Sequence, residues 1–136
     1  DKKEVGALGI SNCYDLDVLK YLFNNAKVKP SIVQNRFYAQ SGYDKELRAF
    51  CKQNNITYES FWSLTANPNI LASEVLQNLS VKYQKGVAEI FYRFLNHIDI
   101  VPLNGTTSTK HMIEDLKIGE FELTKDEINS ILNLLN

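Results

Sequence analysis

The chain has 136 residues, with 15 lysines and arginines, 16 aspartates and glutamates, and 44% hydrophobic residues. That hydrophobic share and the net charge of -1 exclude an intrinsically disordered segment. The balanced charge also removes the electrostatic case for nucleic-acid binding, because no surplus of basic residues exists to displace counterions. No apolar run reaches the ~20 residues that a bilayer crossing needs, so no membrane association is predicted.

The cysteines and the N-terminus bear on the compartment and on chain length. Two cysteines, Cys13 and Cys51, are too few for a disulfide framework or a zinc site. They indicate reduced thiols in a cytoplasmic protein, and no metal site is predicted. The first four residues are all charged, and no signal peptide is recognisable. Because the chain begins with Asp1 and not Met, we expect further sequence upstream.

The first elements are a short apolar run followed by a helical pattern. Residues 5–10 are apolar on both faces, which predicts a strand buried on both sides. Asp15 is placed to cap a helix that ends at Asn24-Asn25. Lys29-Pro30 then favours an extended entry into a second strand over residues 31–34.

The middle of the chain repeats this alternation. Residues 41–44 open a second predicted helix, and Asn54-Asn55 is its left-handed stop. Residues 56–62 predict the third strand. After the turn at 66–69, the pattern indicates one helix over residues 70–83.

The C-terminal part completes the series. A helix is predicted over residues 87–96, a fourth strand over 98–103, and a short helix over 109–116 after a polar loop. The last helix begins at residues 124–127, which form a capping box. Such alternation with short loops predicts a parallel sheet with helical crossovers.

Polar and aromatic residues follow the predicted strands, where parallel sheets bind ligands. They are Ser11, Asn12, Gln34, Phe61, Trp62 and the loop residues Asn104, Gly105, Thr106 and Thr107. Amides, a hydroxyl and a flat apolar ring suit a planar heterocycle that carries a carboxamide. The alternative is that these are only turn and cap residues. Neither standard glycine-rich phosphate loop is present.

At these segments the sequence resembles the C-terminal half of the aldo-keto reductase family. The matches to family motifs, in chain order, are Gly9-Ile10-Ser11-Asn12, Lys27-Val28-Lys29-Pro30 followed by Gln34, Leu47 to Cys51, Ile56 to Leu64, Ile100-Val101-Pro102 and Phe121-Glu122-Leu123-Thr124. The resemblance covers nearly all of residues 1–136. It implies an α/β fold that is half of a (β/α)8 TIM barrel, with about four parallel βα units. A missing N-terminal half or a partner chain would complete it.

The resemblance also implies a nicotinamide dinucleotide cofactor, which is usually NADPH in the family, with NADH as the alternative. Ser11, Asn12 and Gln34 match the residues that hydrogen-bond the nicotinamide carboxamide. Phe61 stands where the family has a tyrosine that stacks on the nicotinamide ring. Leu64 matches a residue of the loop over the pyrophosphate.

The adenosine end departs from the family pattern. After the last strand the family has K-S-x-T-x-x-R against the ribose phosphate. At that place this chain has Thr106, Thr107, Lys110 and His111, which are its candidate cofactor-binding residues, and Lys110 or His111 could still meet the phosphate. Asp115 replaces the asparagine of a pair that contacts adenine. Residues 35–39 read N-R-F-Y-A where the family commonly has x-E-Y-H-P, so one pocket wall differs.

The family reduces carbonyl groups with an Asp, Tyr, Lys and His tetrad, and none of the four maps onto this chain. No catalytic residue is therefore predicted here. We expect the chain to be part of an NAD(P)H-dependent oxidoreductase that reduces aldehydes or ketones to alcohols, and to be inactive alone. We expect the missing half of the barrel to be supplied by a longer parent protein, by another polypeptide or by a second copy of this chain. One alternative is a catalytically inactive half-barrel that binds a nucleotide or a partner. Another is an unrelated four-stranded α/β domain, such as a flavodoxin-like one.

Overall fold

The computed structural model describes residues 4–135, so the outermost residues of the predicted domain, 1–3 and 136, lie outside the described part. All four strands are parallel, and their spatial order is the same as their order along the chain. A doubly wound sheet of the flavodoxin type would reverse its strand order, whereas a barrel does not. The strands are β1 (Gly9–Ser11), β2 (Ile32–Arg36), β3 (Thr57–Phe61) and β4 (Ile100–Pro102).

Helices occupy the connections between the strands and the C-terminal end. Within residues 4–135 they are α1 (Leu16–Asn25), α2 (Lys45–Gln53), α3 (Pro68–Leu71), α4 (Glu74–Tyr83), α5 (Val87–His97), α6 (Thr109–Leu116) and α7 (Lys125–Leu132), with 3-10 segments at Ala39–Asp44, Ile118–Glu120 and Asn133–Leu135. The predicted parallel α/β fold is confirmed. No helix in the described part is both long and apolar enough to cross a bilayer.

Capping residues set several of the helix boundaries as predicted. The Asp15 carboxylate accepts hydrogen bonds from the backbone N–H groups of Asp17 at 2.8 Å and Val18 at 3.1 Å. Thr124 and Glu127 form the capping box of α7. Asn55, after α2, has a φ of 55°, as expected of a left-handed stop.

Two predicted elements are wrong. The single helix over 70–83 is divided into α3 and α4, because the Ser73 hydroxyl accepts from the Leu76 N–H at 3.3 Å and caps a new helix. The strand predicted over 5–10 is confined to β1 and is not buried on both sides. It lies at the sheet edge, and the Val5 side chain before it is 71% exposed.

The sheet has one covered face and one open face. Val33, Tyr58 and Ile100 are buried against the helices, together with core residues such as Leu47 and Phe94. The residues that alternate with them in β2, β3 and β4 point to the other face and are half-buried or exposed; they are Gln34, Arg36, Glu59, Phe61 and Val101. The predicted ligand-binding residues of β2 and β3 thus lie on the open face.

Candidate cofactor and substrate site

The ends of β1 and β2 bring three of the predicted residues together. Ser11 is the register partner of Gln34, and the backbone N–H of Asn12 donates to the Gln34 carbonyl at 3.0 Å. Asn12 has a φ of 57°, which turns the chain directly after β1. Its side-chain amide donates to the Ser11 hydroxyl at 3.2 Å. These residues therefore form one polar group at the carboxyl edge of the sheet.

Glu59 orients the Gln34 side chain. The Gln34 Nε2 donates to the Glu59 Oε2 at 2.8 Å. Because a carboxylate at neutral pH can only accept, the amide nitrogen must face Glu59, which leaves Oε1 as an acceptor for another group. Glu59 was not singled out from the sequence, although it stands two residues before Phe61 on the same face of β3.

Phe61 ends β3 beside Arg36, the last residue of β2. Trp62 follows with a φ of 56° and a side chain that is 56% exposed. The Arg36 Cζ lies 4.4 Å from the centroid of the Trp62 ring. The carboxyl ends of β2 and β3 thus carry a cation and two aromatic rings next to the polar group.

A cleft of about 340 Å³ lies on the other side of the site, near the end of β4. Six of the residues singled out from the sequence are among those that line it: Leu64, Asn104, Gly105, Thr106, His111 and Asp115. Thr107 and Lys110 are not among the lining residues. Lys110 is directed instead to Glu114, 3.6 Å away, and its side chain is 79% exposed. The cleft thus brings together residues from the start of α5, the loop after β4 and α6.

The charge of this cleft is mainly negative. Its lining includes Glu89, Glu114 and Asp115, and His111 is its one basic side chain among the described residues. Burial raises the pKa of Asp115, opposed by a hydrogen bond from Asn104 and by His111. Nothing in this lining offers the paired basic side chains that the family uses against a ribose phosphate.

A buried polar network on the helix-covered side of the sheet lies next to the site, and it was not predicted from the sequence. The Asn35 side chain exchanges two hydrogen bonds with the Cys13 backbone, at 2.9 and 2.7 Å, and donates a third to the Asp44 Oδ2 at 2.7 Å. Tyr58 donates to the same oxygen at 2.8 Å. Burial and Asp44 raise the pKa of Tyr58. The network holds the turn after β1 against β2.

The cysteines and His97 lie outside the site. Both cysteines are free and buried, and burial raises the pKa of the Cys51 thiol to about 11, which disfavours a nucleophilic thiolate. The His97 Nε2 accepts from the Leu123 N–H at 3.2 Å. His97 therefore contacts the segment before α7.

A larger cleft, of about 820 Å³, lies at the opposite end of the strands. It is bounded by α2 and by the first residues of β3 and β4, including Thr57 and Ile100, and it contains none of the predicted site residues. In parallel βα folds this end contributes to stability, whereas chemistry takes place at the carboxyl end. We therefore assign no ligand to it.

Comparison with known proteins agrees with the sequence resemblance. No family model matches the chain. Glyoxal reductase of Bacillus subtilis (strain 168) is 30% identical over 128 residues, which are 94% of this chain and 45% of the reductase. An aldo-keto reductase from a Medee basin deep-sea metagenome library matches with a TM-score of 0.84 and 26% identity, over 96% of this chain and 47% of that one. The silkworm (Bombyx mori) aldo-keto reductase complexed with NADPH has a TM-score of 0.77 and 20% identity, over 93% of this chain and 41% of its own.

Proposed function

Because this chain is homologous to aldo-keto reductases and spans about half of their length, we propose that it is part of an NAD(P)H-dependent oxidoreductase that reduces aldehydes or ketones to alcohols. The observation that carries the proposal is the grouping of Ser11, Asn12 and Gln34 at the carboxyl edge of the open sheet face. Phe61 lies on the same face, one strand further along. Carbonyl reduction is a reaction of the whole barrel, to which this chain contributes one side.

The residues present fit a nicotinamide dinucleotide. A carboxamide has both donors and an acceptor, and Ser11, Asn12 and the free Oε1 of Gln34 offer matching groups. Phe61 offers the ring with an apolar face to stack on. In the proposal the acidic cleft with Leu64 and Asp115 holds the adenosine end, and the cofactor is NADPH or NADH. When bound, the nicotinamide supplies the hydride for the carbonyl carbon.

The proton for the carbonyl oxygen has to come from outside this chain, because no residue here matches the tetrad of the family. We propose that a missing N-terminal half of the barrel, or a partner chain, supplies it. The edges of the sheet at β1 and β4 support this, since within residues 4–135 each of these strands pairs on one side only. Alone, the chain is expected to be inactive. A cytoplasmic location is consistent with the two free cysteines.

The test is dinucleotide binding to the intact protein that contains this chain, measured by NADPH fluorescence titration. Replacing Gln34 by Leu removes the oxygen and the nitrogen of the side-chain amide. This is expected to weaken NADPH binding about tenfold, the effect of losing a hydrogen bond worth about 1–1.5 kcal/mol. Gln40→Leu is the matched control, because Gln40 is an exposed glutamine of the 3-10 segment. Equal affinities in both variants and the parent would contradict the proposed site.

The alternative is a catalytically inactive half-barrel that binds a nucleotide or a partner. The loop after β4, which lacks the family's paired basic residues, is the observation that favours it. A fluorescence titration of the 136-residue chain alone, together with an aldehyde-reduction assay of the intact source protein, separates the two. Binding by the chain with no turnover by the intact protein would support the alternative; turnover by the intact protein supports the reductase.

A further inference from the structure

Arg36 is held at the carboxyl end of β2 by aromatic side chains. Its Cζ lies 4.4 Å from the centroid of the Trp62 ring and 5.4 Å from that of Tyr38. Both distances are within the range of cation–π attraction. Contact with ring faces covers the plane of a guanidinium and leaves the N–H groups at its edge available for a planar anion.

The guanidinium of Arg36 lacks an anionic partner among residues 4–135. None of the ion pairs in the described part includes Arg36, and its Nε is buried without a hydrogen-bond acceptor. The other two arginines have acceptors: Arg48 donates to the Tyr43 carbonyl, and Arg93 pairs with Glu122. An ordered arginine without such a partner is the arrangement expected of a binding residue.

The backbone around Arg36 is also fixed. Its N–H donates to the Tyr14 hydroxyl at 3.1 Å, and that hydroxyl donates to the Asn12 Oδ1 at 3.3 Å. Trp62 adopts a left-handed conformation, with a φ of 56°, which is costly for a large side chain. Such strain is retained where the surroundings require one orientation. The backbone of Arg36 is thus linked through the Tyr14 hydroxyl to the polar group at the ends of β1 and β2.

We propose that Arg36 binds a carboxylate of the substrate, so that the preferred substrates are carbonyl compounds that also carry a carboxylate group. This inference rests on the proposed function. The position of Arg36 favours a substrate over the cofactor pyrophosphate. Arg36 is the register partner of Phe61, the proposed nicotinamide platform, and it is not among the residues that line the cleft near β4.

The test compares succinic semialdehyde with its methyl ester, which has the same aldehyde without the charge, in the intact protein. We expect kcat/KM to be at least tenfold higher for the acid. Arg36→Met is expected to lower kcat/KM for the acid by about 10- to 100-fold, the range of a charge-assisted hydrogen bond, and to change it less than threefold for the ester. Lys117→Met, which removes an exposed charge outside the strand ends, is the control.

Arg36→Lys distinguishes the loss of the guanidinium from a folding defect. Lysine keeps the positive charge but lacks the planar group that binds a carboxylate through two N–H donors. It should retain an intermediate preference for the acid. Equal kcat/KM values for acid and ester in the parent, or an equal loss for both in Arg36→Met, would overturn the inference. So would a matching loss of NADPH affinity in Arg36→Met, which would assign the arginine to the pyrophosphate. A protein that neither binds NADPH nor reduces either compound would overturn the proposed function itself.

Discussion

The amide nitrogen of Gln34 donates a hydrogen bond to the Glu59 carboxylate across neighbouring strands, at 2.8 Å. The contact decides which end of the amide is presented to a ligand, since the carboxylate accepts and cannot donate. Glu59 is therefore a positioning residue for Gln34 in the proposed site. Its charge lies on the open face of the sheet, where the helices do not cover it.

Replacing Glu59 by Leu is expected to weaken NADPH binding by about three- to tenfold, because the Gln34 amide loses its fixed orientation. Fluorescence titration of the intact protein measures this. Thr57→Val, two residues earlier on the same face of β3, is the control and should bind as the parent does. Unchanged affinity in Glu59→Leu would show that Gln34 is oriented by other contacts.

Tyr58→Phe tests the buried network. The substitution removes the hydroxyl that donates to Asp44, a carboxylate whose residue is only 5% exposed. Leaving that carboxylate with one donor fewer should lower the free energy of unfolding by about 1–3 kcal/mol. Urea denaturation measures it. Tyr21→Phe, at a tyrosine that is 68% exposed, should have little effect; a similar loss there would mean that the network is not responsible.

The pH dependence of stability should report on Glu127. Burial opposes its ionisation, but hydrogen bonds from Lys82, Tyr83 and Thr124 outweigh this and lower the pKa of Glu127 from 4.5 to about 2. A carboxyl group with a depressed folded-state pKa stabilises the fold above its unfolded pKa. The free energy of unfolding should therefore fall as the pH drops from about 4.5 to about 2.

Acid denaturation of the Glu127→Gln variant is the corresponding measurement. The variant should be less stable than the parent near pH 7, and the difference should shrink through the same acidic window. Lys82→Met should reduce the slope in part, because Lys82 is one of the three partners. A constant difference between Glu127→Gln and the parent at all pH values would contradict this account.

Asp115→Asn should favour the phosphorylated cofactor. The substitution removes one negative charge from the acidic cleft and restores the family's amide, while Asn104 can still donate to the side chain. A single charge at a partly exposed site contributes up to about 1 kcal/mol, so the NADPH dissociation constant should fall by two- to fivefold. That for NADH should change less than twofold. Calorimetry on both nucleotides measures this, and equal effects on the two would place Asp115 away from the ribose phosphate.

The sequence predicted the parts of the fold that depend on local pattern. Asp15 and the pair Thr124 and Glu127 mark helix starts because their capping bonds are made within three residues. Ser73 was missed because the apolar spacing on both sides of it fits one continuous helix, and its hydroxyl alone decides the break. The exposure of β1 at the sheet edge could not be predicted, because the apolar residues of a segment do not reveal which neighbouring elements cover it.

Contacts between distant residues account for the rest. Asn35 meets Cys13 across 22 positions, and Tyr58 meets Asp44 across 14, so no spacing rule predicts their network. Glu59 was overlooked because its role exists only through its register with Gln34. The predicted residues at the strand ends could be named because parallel strands bring their carboxyl ends to one edge.

Two strands of the sheet end in a left-handed residue that is not glycine, Asn12 after β1 and Trp62 after β3. Glycine adopts this conformation at no steric cost, so each position forgoes some local stability. Selection for stability alone would replace both side chains, whereas the proposed ligand site requires them. These two turns are therefore the positions where improved thermal tolerance and retained function would conflict most directly.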